Sequence, residues 1–148
     1  MRVVIQRVSE AMVKVDRKIV GKINRGILIY SGIEEGDTEK EARYIAEKLI
    51  NLRIFPDENN KMNISLKDLE NSEVLSISQF TLSSYIKKGR RPDFTNAMAP
   101  EKAEKLYNIF NRILSENVKV ETGVFGAMMD IYSVNDGPVT FIIEKKNI

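Results

Sequence analysis

The chain has 148 residues, with 23 lysines and arginines against 21 aspartates and glutamates. That is enough for one buried core, and the overall field is so weak that a polyanion would need a local basic patch. Cysteine and histidine are both absent. Disulfides, thiolate nucleophiles, zinc-thiolate sites, a Ser-His-Asp triad and histidine metal sites are thereby excluded, leaving hydroxyls, carboxylates, lysines, tyrosines, backbone groups or the substrate to do any chemistry.

One domain over residues 1–148 is expected. No apolar run approaches bilayer length. Met1-Arg2 leads straight into a strand-like pattern, so no targeting segment is expected and the expected location is the cytosol.

Along the chain, Arg2 to Val8 alternates imperfectly and reads as a first strand. Met12 to Val15 and Lys18 to Ile23 read as two further strands joined by a tight hairpin at Asp16-Arg17. Gly26 to Tyr30 is a continuous apolar run, the mark of a strand buried on both faces. Thr38 with Glu41 has capping-box spacing and opens a helix that ends near Leu52. Its core stripe is Ala42, Ile45, Ala46, Leu49 and Ile50, with Lys40, Glu41, Glu47 and Lys48 facing water.

Arg53 to Pro56 is a short strand and Asp57 to Lys61 its exposed turn. Ser65 to Glu70 is either a helical turn or a loop. A strand carrying Ser76 to Phe80 follows. Ser83 to Pro100 is too long and polar for a mere connection. Pro100 suits the first turn of a second helix with Ala103, Leu106, Tyr107, Phe110, Ile113 and Leu114 as its stripe. Val118 to Thr122, Met128 to Val134 and Val139 to Glu144 complete the strands. The expected fold is α/β, a layered sandwich of mixed sheets with two main helices.

Three stretches stand out chemically. Val74 to Leu82 begins as a half-buried strand and ends with Ser78, Gln79 and Thr81, where an ordinary strand with a wet hydroxyl face is the competing reading. Lys87-Lys88-Gly89-Arg90-Arg91 gathers four cations around a glycine, which is either a phosphate site or a solvated loop. Asn135-Asp136-Gly137-Pro138-Val139-Thr140 interrupts two strands, and X-Pro bonds are the peptide bonds that adopt cis with any frequency.

Ser78-Gln79-Phe80-Thr81-Leu82 and the Asn135-to-Thr140 segment resemble the SQFTL and NxGPVT signatures of the D-aminoacyl-tRNA deacylase family. The likeness extends to the opening Met1 to Val8, to Gly89 to Phe94 and to Gly123 to Met129, in the family's order. The resemblance implies a metal-independent, cofactor-free esterase that releases D-amino acids from tRNA. It also implies a homodimer in which a Gly137-cis-Pro138 wall enters the partner's active site and rejects L side chains. Arg7 would hold that loop.

On this reading Ser78, Gln79, Phe80 and Thr81 form the catalytic floor, with free backbone N–H groups around Gln79 and Phe80. Phe125, Ala127 and Met128 line the substrate's adenosine pocket or the subunit contact, Asn135 belongs to the substrate pocket, and Asn135 with Asp136 also caps the turn. Lys87, Lys88, Arg90 and Arg91 contact tRNA. Thr81 is a nucleophile or a positioning group; an interior threonine needs an adjacent base to attack, and the sequence shows none. Because glycine has no side chain to reject, glycyl-tRNA, including glycine mischarged on alanine tRNA, is expected as a further substrate. The rival readings are a non-catalytic RNA-binding protein and a small-ester hydrolase without a tRNA partner.

Overall fold

The computed structural model describes residues 1–146. Its strands are β1 (Arg2–Val15), β2 (Lys18–Ile23), β3 (Gly26–Gly32), β4 (Arg53–Pro56), β5 (Met62–Ser65), β6 (Glu73–Ser78), β7 (Lys119–Thr122) and β8 (Asp130–Glu144). The helices are α1 (Glu39–Ile50) and α2 (Pro100–Ser115). The main sheet runs β2-β1-β3-β6-β7, and β8 also pairs with β1. The β3–β6 and β6–β7 pairs are parallel and the others antiparallel, so the sheet is mixed, as expected.

Strand β1 is continuous where two strands were expected. Val3 and Ile5 belong to one buried cluster, whereas Val8, Ala11 and Val13 belong to another. The switch is made by irregular pairing with β8 around Val8, where extra residues reverse the inward-facing set. Ser9 and Glu10, exposed at this bend, are what made the strand look broken in sequence. The hairpin into β2 turns at Asp16 and Arg17, with φ of 49° and 66°, the double left-handed geometry of a tight two-residue turn.

Two cores result. The first lies between the sheet and the helices, where Ile27, Ile29 and Val74 meet Ile45, Leu49, Leu106 and Phe110. The second lies inside the curl of the sheet and contains Val13, Ile23, Leu28, Leu75 and Ile77. Strands β3 and β6 supply both, which is why β3 reads as an unbroken apolar run.

Helix α1 opens with the expected capping box, but Glu41 is only 4% exposed instead of facing water. Its carboxylate accepts the Thr38 hydroxyl and the Thr38 N–H, each at 2.7 Å, so capping draws it inward. The whole expected stripe of α2 is buried, with Pro100 in the first turn.

Strand β5 was not anticipated. It pairs with β4 as a separate ribbon, its turn tied by the Asp57 carboxylate accepting the N–H groups of Asn59 and Lys61 at 2.8 and 3.1 Å. Leu69 N–H bonds to Ser65 O at 3.0 Å, making one helical turn after β5. β6 stops at Ser78, before Phe80, and β8 is one strand where two were expected.

Candidate active site

Strands β3 and β6 end side by side, with Ser31 opposite Ser78. Gln79 N–H then donates to Ser31 O at 2.8 Å, extending the parallel ladder by one bond. Beyond it the chain tightens into a 3-10 turn, Phe80–Ser83. The turn sits directly on the end of β3: a Cβ added to Gly32 would lie 2.7 Å from Leu82 Cβ, so only glycine permits the approach. Arg2 Nη1 donates to Leu82 O at 3.0 Å and Arg2 Nη2 to Glu144 Oε1 at 2.9 Å, lashing the turn to β1 and β8.

The expectation of a free Gln79 N–H is therefore corrected. The first N–H groups of a 3-10 turn have no partner within it. Here those groups belong to Phe80 and Thr81, and neither bonds elsewhere among the described residues. The Gln79 and Thr81 carbonyls accept from Leu82 and Ser84 N–H at 3.2 and 3.1 Å.

Beside the turn lies a cavity of about 640 Å³. Of the residues expected there, Ser78, Gln79, Phe80, Phe125, Ala127 and Met128 line it. Thr81 does not; it is exposed one step further along the turn. Sequence reasoning missed Tyr30, Ser31, Phe94 and Met98 in its wall. Tyr30 and Ser31 carry the same polar strand-end signal as Ser78, and Phe94 and Met98 are apolar residues in an otherwise polar loop.

Burial pushes the Tyr30 hydroxyl above its ordinary pKa, so it remains a neutral group in the wall. Among the described residues Ser31 Oγ is buried without a hydrogen-bond partner. Tyr107, its pKa also raised by burial, donates to Ser76 O at 2.7 Å, and its ring packs 5.8 Å from that of Phe125.

The second component is a detour in β8. Asn135 lies opposite Val8 and Thr140 opposite Gln6, so residues 136–139 loop out across the position of Arg7. Arg7 is 9% exposed; Nη1 donates to Ile54 O at 2.7 Å, and Nε donates to Asp136 O at 3.3 Å and meets Asp136 Oδ2 at 3.2 Å. Asn135 was expected in the substrate pocket, but it does not line the cavity. Its Nδ2 donates to Arg7 O and Val139 O, both at 3.0 Å, closing the neck of the loop.

The Gly137-Pro138 bond is cis, and Gly137 has φ of +127°. A Cβ there would meet Val139 Cγ2 at 2.6 Å and Arg7 Nη2 at 3.1 Å. Both tip residues are exposed, and neither lines the cavity of its own chain.

Lys87, Lys88, Arg90 and Arg91 are exposed around Gly89, whose φ is +77°. Their loop is closed by paired backbone bonds between Tyr85 and Asp93 at 2.8 and 2.9 Å. Among the described residues no group of three or more acidic, cysteine or histidine side chains is placed to hold a metal. No helix among them is long and apolar enough to cross a membrane.

A family model described as D-Tyr-tRNA(Tyr) deacylase matches residues 4–144. A D-aminoacyl-tRNA deacylase of Bacillus cytotoxicus is 58% identical over 147 residues, covering 99% of this chain and 100% of the relative. A D-aminoacyl-tRNA deacylase of Bacillus cereus strain AH187 is 56% identical with the same coverage.

Among solved structures, a c-Myc DNA unwinding element binding protein superposes with a TM-score of 0.93 at 40% identity, covering 99% of this chain and 100% of the other. A probable eukaryotic D-amino acid tRNA deacylase, at 20% identity and TM-score 0.84 over 96% and 97% of the two chains, shares the fold. With the family model spanning both the strand-end turn and the β8 detour, the chain belongs to the D-Tyr-tRNA(Tyr) deacylase family.

Proposed function

We propose that this hydrolase cleaves the ester between a D-amino acid and the terminal ribose of tRNA, releasing free amino acid and tRNA. The observation that carries the reading is the pair of unpartnered N–H groups on Phe80 and Thr81, at a turn whose first residue lines the cavity. An aminoacyl ester is already reactive. The protein's task is to place water and to stabilise the oxyanion that forms at the carbonyl, and fixed backbone donors do this without reorganising.

Water adds to the ester carbonyl carbon, the oxyanion accepts from the two N–H groups, and the bond to the ribose oxygen breaks. The proton lost by water reaches the departing oxygen through the neighbouring ribose hydroxyl. Ser78 and Gln79 shape the floor, and Thr81 contributes its backbone N–H, its hydroxyl not attacking the ester. No step requires a metal or cofactor.

Chirality is checked by a homodimer partner. Gly137 and Pro138, clamped by Arg7 and Asn135, are exposed and idle with respect to their own cavity, as a segment serving a neighbour would be. The free edge of β8, with Tyr132, Val134 and Ile142 exposed, and Met128 at 92% exposure supply apolar surface for a subunit contact. Backbone seated near the substrate α-carbon leaves room for hydrogen and none for an L side chain. Lys87, Lys88, Arg90 and Arg91 hold the phosphates of the acceptor stem. We place this work in the cytoplasm, in one domain spanning residues 1–148.

The test is release of D-tyrosine and L-tyrosine from their tRNA esters, with and without chelator. D-selective release unaffected by chelator is expected. RNA binding with no release would leave a non-catalytic RNA-binding protein, the alternative favoured by the basic loop alone.

A further inference from the structure

We propose that the loop between the 3-10 turn and α2 is a stacking platform for the unpaired nucleotides preceding the terminal adenosine, so that tight binding requires a single-stranded 3′ overhang. The inference rests on the RNA substrate proposed above. Tyr85, Ile86 and Phe94 are 45%, 67% and 40% exposed in a segment, residues 84–96, whose other residues are polar apart from Gly89 and Pro92. Two rings and an isoleucine gathered in one short segment make an exposed apolar patch.

Their placement is ordered. Phe94 lines the cavity and meets Phe80, another wall residue, edge-on at 5.2 Å between ring centres. Tyr85 lies outside the cavity but is locked to Asp93, the neighbour of Phe94, by two backbone bonds of 2.8 and 2.9 Å. Tyr85 and Ile86 are thereby held on the segment paired with the one that carries Phe94. The cations begin at the next residue: Lys87 Nζ lies 5.8 Å from the Tyr85 ring centre.

Lys87, Lys88, Arg90 and Arg91 form no salt bridge among the described residues. The only acid in the loop, Asp93, accepts the Thr95 N–H at 2.9 Å. Exposed rings followed by unpaired cations match a strand that alternates base and phosphate. A duplex stem does not fit the rings, because its base faces are already stacked.

The probe is a deacylated RNA minihelix whose nucleotide next to the 3′ end is replaced by 2-aminopurine. Binding should quench its fluorescence, and a blunt-ended stem should bind at least tenfold more weakly. Tyr85→Ala should abolish the quench and weaken the minihelix about tenfold, the size of one lost base–aromatic stack. Tyr85→Phe should restore both. Full quenching by Tyr85→Ala, or equal affinity for blunt and overhanging stems, would overturn the platform. Failure of D-tyrosyl-tRNA cleavage would instead sink the proposed reaction and leave the binding result standing.

Discussion

Arg7 and Asn135 clasp each other's strands. The Asn135 side-chain amide donates to the Arg7 carbonyl at 3.0 Å, while the Arg7 guanidinium donates to the carbonyl of Asp136, the residue after Asn135, at 3.3 Å. Because Arg7 also reaches Ile54 O at 2.7 Å, the β8 detour is referenced to the β4 ribbon as well as to β1. A single ammonium cannot span those directions as a planar fork does. Arg7→Lys should therefore keep the fold while lowering the ratio of D- to L-tyrosyl-tRNA cleavage. Arg7→Ala should lose about 1–3 kcal/mol for each carbonyl left unsatisfied, read by urea denaturation. An unchanged D/L ratio in Arg7→Lys would detach the clamp from selectivity.

Gly137→Ala makes a sharper demand on the same loop. The residue's φ of +127° is open to glycine, and the added methyl would sit 2.6 Å from Val139 Cγ2. A loss of about 1–3 kcal/mol is expected from backbone strain alone, measured as a shift in urea midpoint at constant slope. Equal stability of the two proteins would mean the loop relaxes freely and cannot act as a rigid wall.

What sequence could and could not reveal follows from how each feature is encoded. The capping box at Thr38 and the stripe of α2 are local patterns, and they appear where they were read. Strand β1 was misread as two because its inward set changes parity at a bulge, and a bulge is set by pairing with β8, more than a hundred residues away in sequence. Glu41 was misplaced because helical phase alone puts it on the wet face, whereas its bonds to Thr38 draw it in.

In the site, Ser78 to Phe80 could be found from a polar strand end, but which N–H groups remained free depended on the bond from Gln79 to Ser31. Asn135 looked like a pocket residue because it adjoins the Gly-Pro pair. Its amide is consumed by the two ends of its own loop.

Thr81→Ala distinguishes two roles for that hydroxyl. Thr81 does not line the cavity, and its backbone N–H has no hydrogen-bond partner among the described residues. Turnover of D-tyrosyl-tRNA should therefore stay within about tenfold of the parent, since an alanine keeps the N–H. Removal of one oxyanion donor would instead cost on the order of 100- to 1000-fold. Abolished turnover in a folded variant would revive Thr81 as a nucleophile.

Acid should weaken the fold in part through Glu41. Its bond from the Thr38 hydroxyl holds the carboxyl below the usual carboxylate range. A group whose pKa is lowered by folding stabilises above its unfolded value, about 4.3, and loses that contribution as pH falls through the folded value. Glu144, lowered by its bond from Arg2, acts in the same direction. Glu41→Gln should flatten the fall in urea midpoint below about pH 4.3, while costing stability at neutral pH. An identical acid profile would remove Glu41 from the linkage.

Neutralising Lys87, Lys88 and Arg91 tests whether the basic loop touches phosphate. Each released counterion contributes about 0.7–0.9 to the slope of log K against log salt. Replacing all three by glutamine should therefore reduce that slope for tRNA by about two units and weaken binding alike across tRNA sequences. A slope unchanged from the parent would locate the phosphate contacts elsewhere.

Selectivity by exclusion carries its own leak. A backbone wall set against the substrate α-carbon acts on whatever replaces hydrogen on the forbidden side, and glycine places only hydrogen there. Its penalty is absent, whereas a pocket that recognised the D side chain would discriminate against glycine for lack of contacts. Glycine attached to a minihelix should thus be released at a readily measurable rate. L-tyrosine on the same minihelix should remain intact. Inert glycine beside rapid D-tyrosine release would mean that the D side chain is bound positively, and the Gly137-Pro138 tip would then have to serve some end other than rejection.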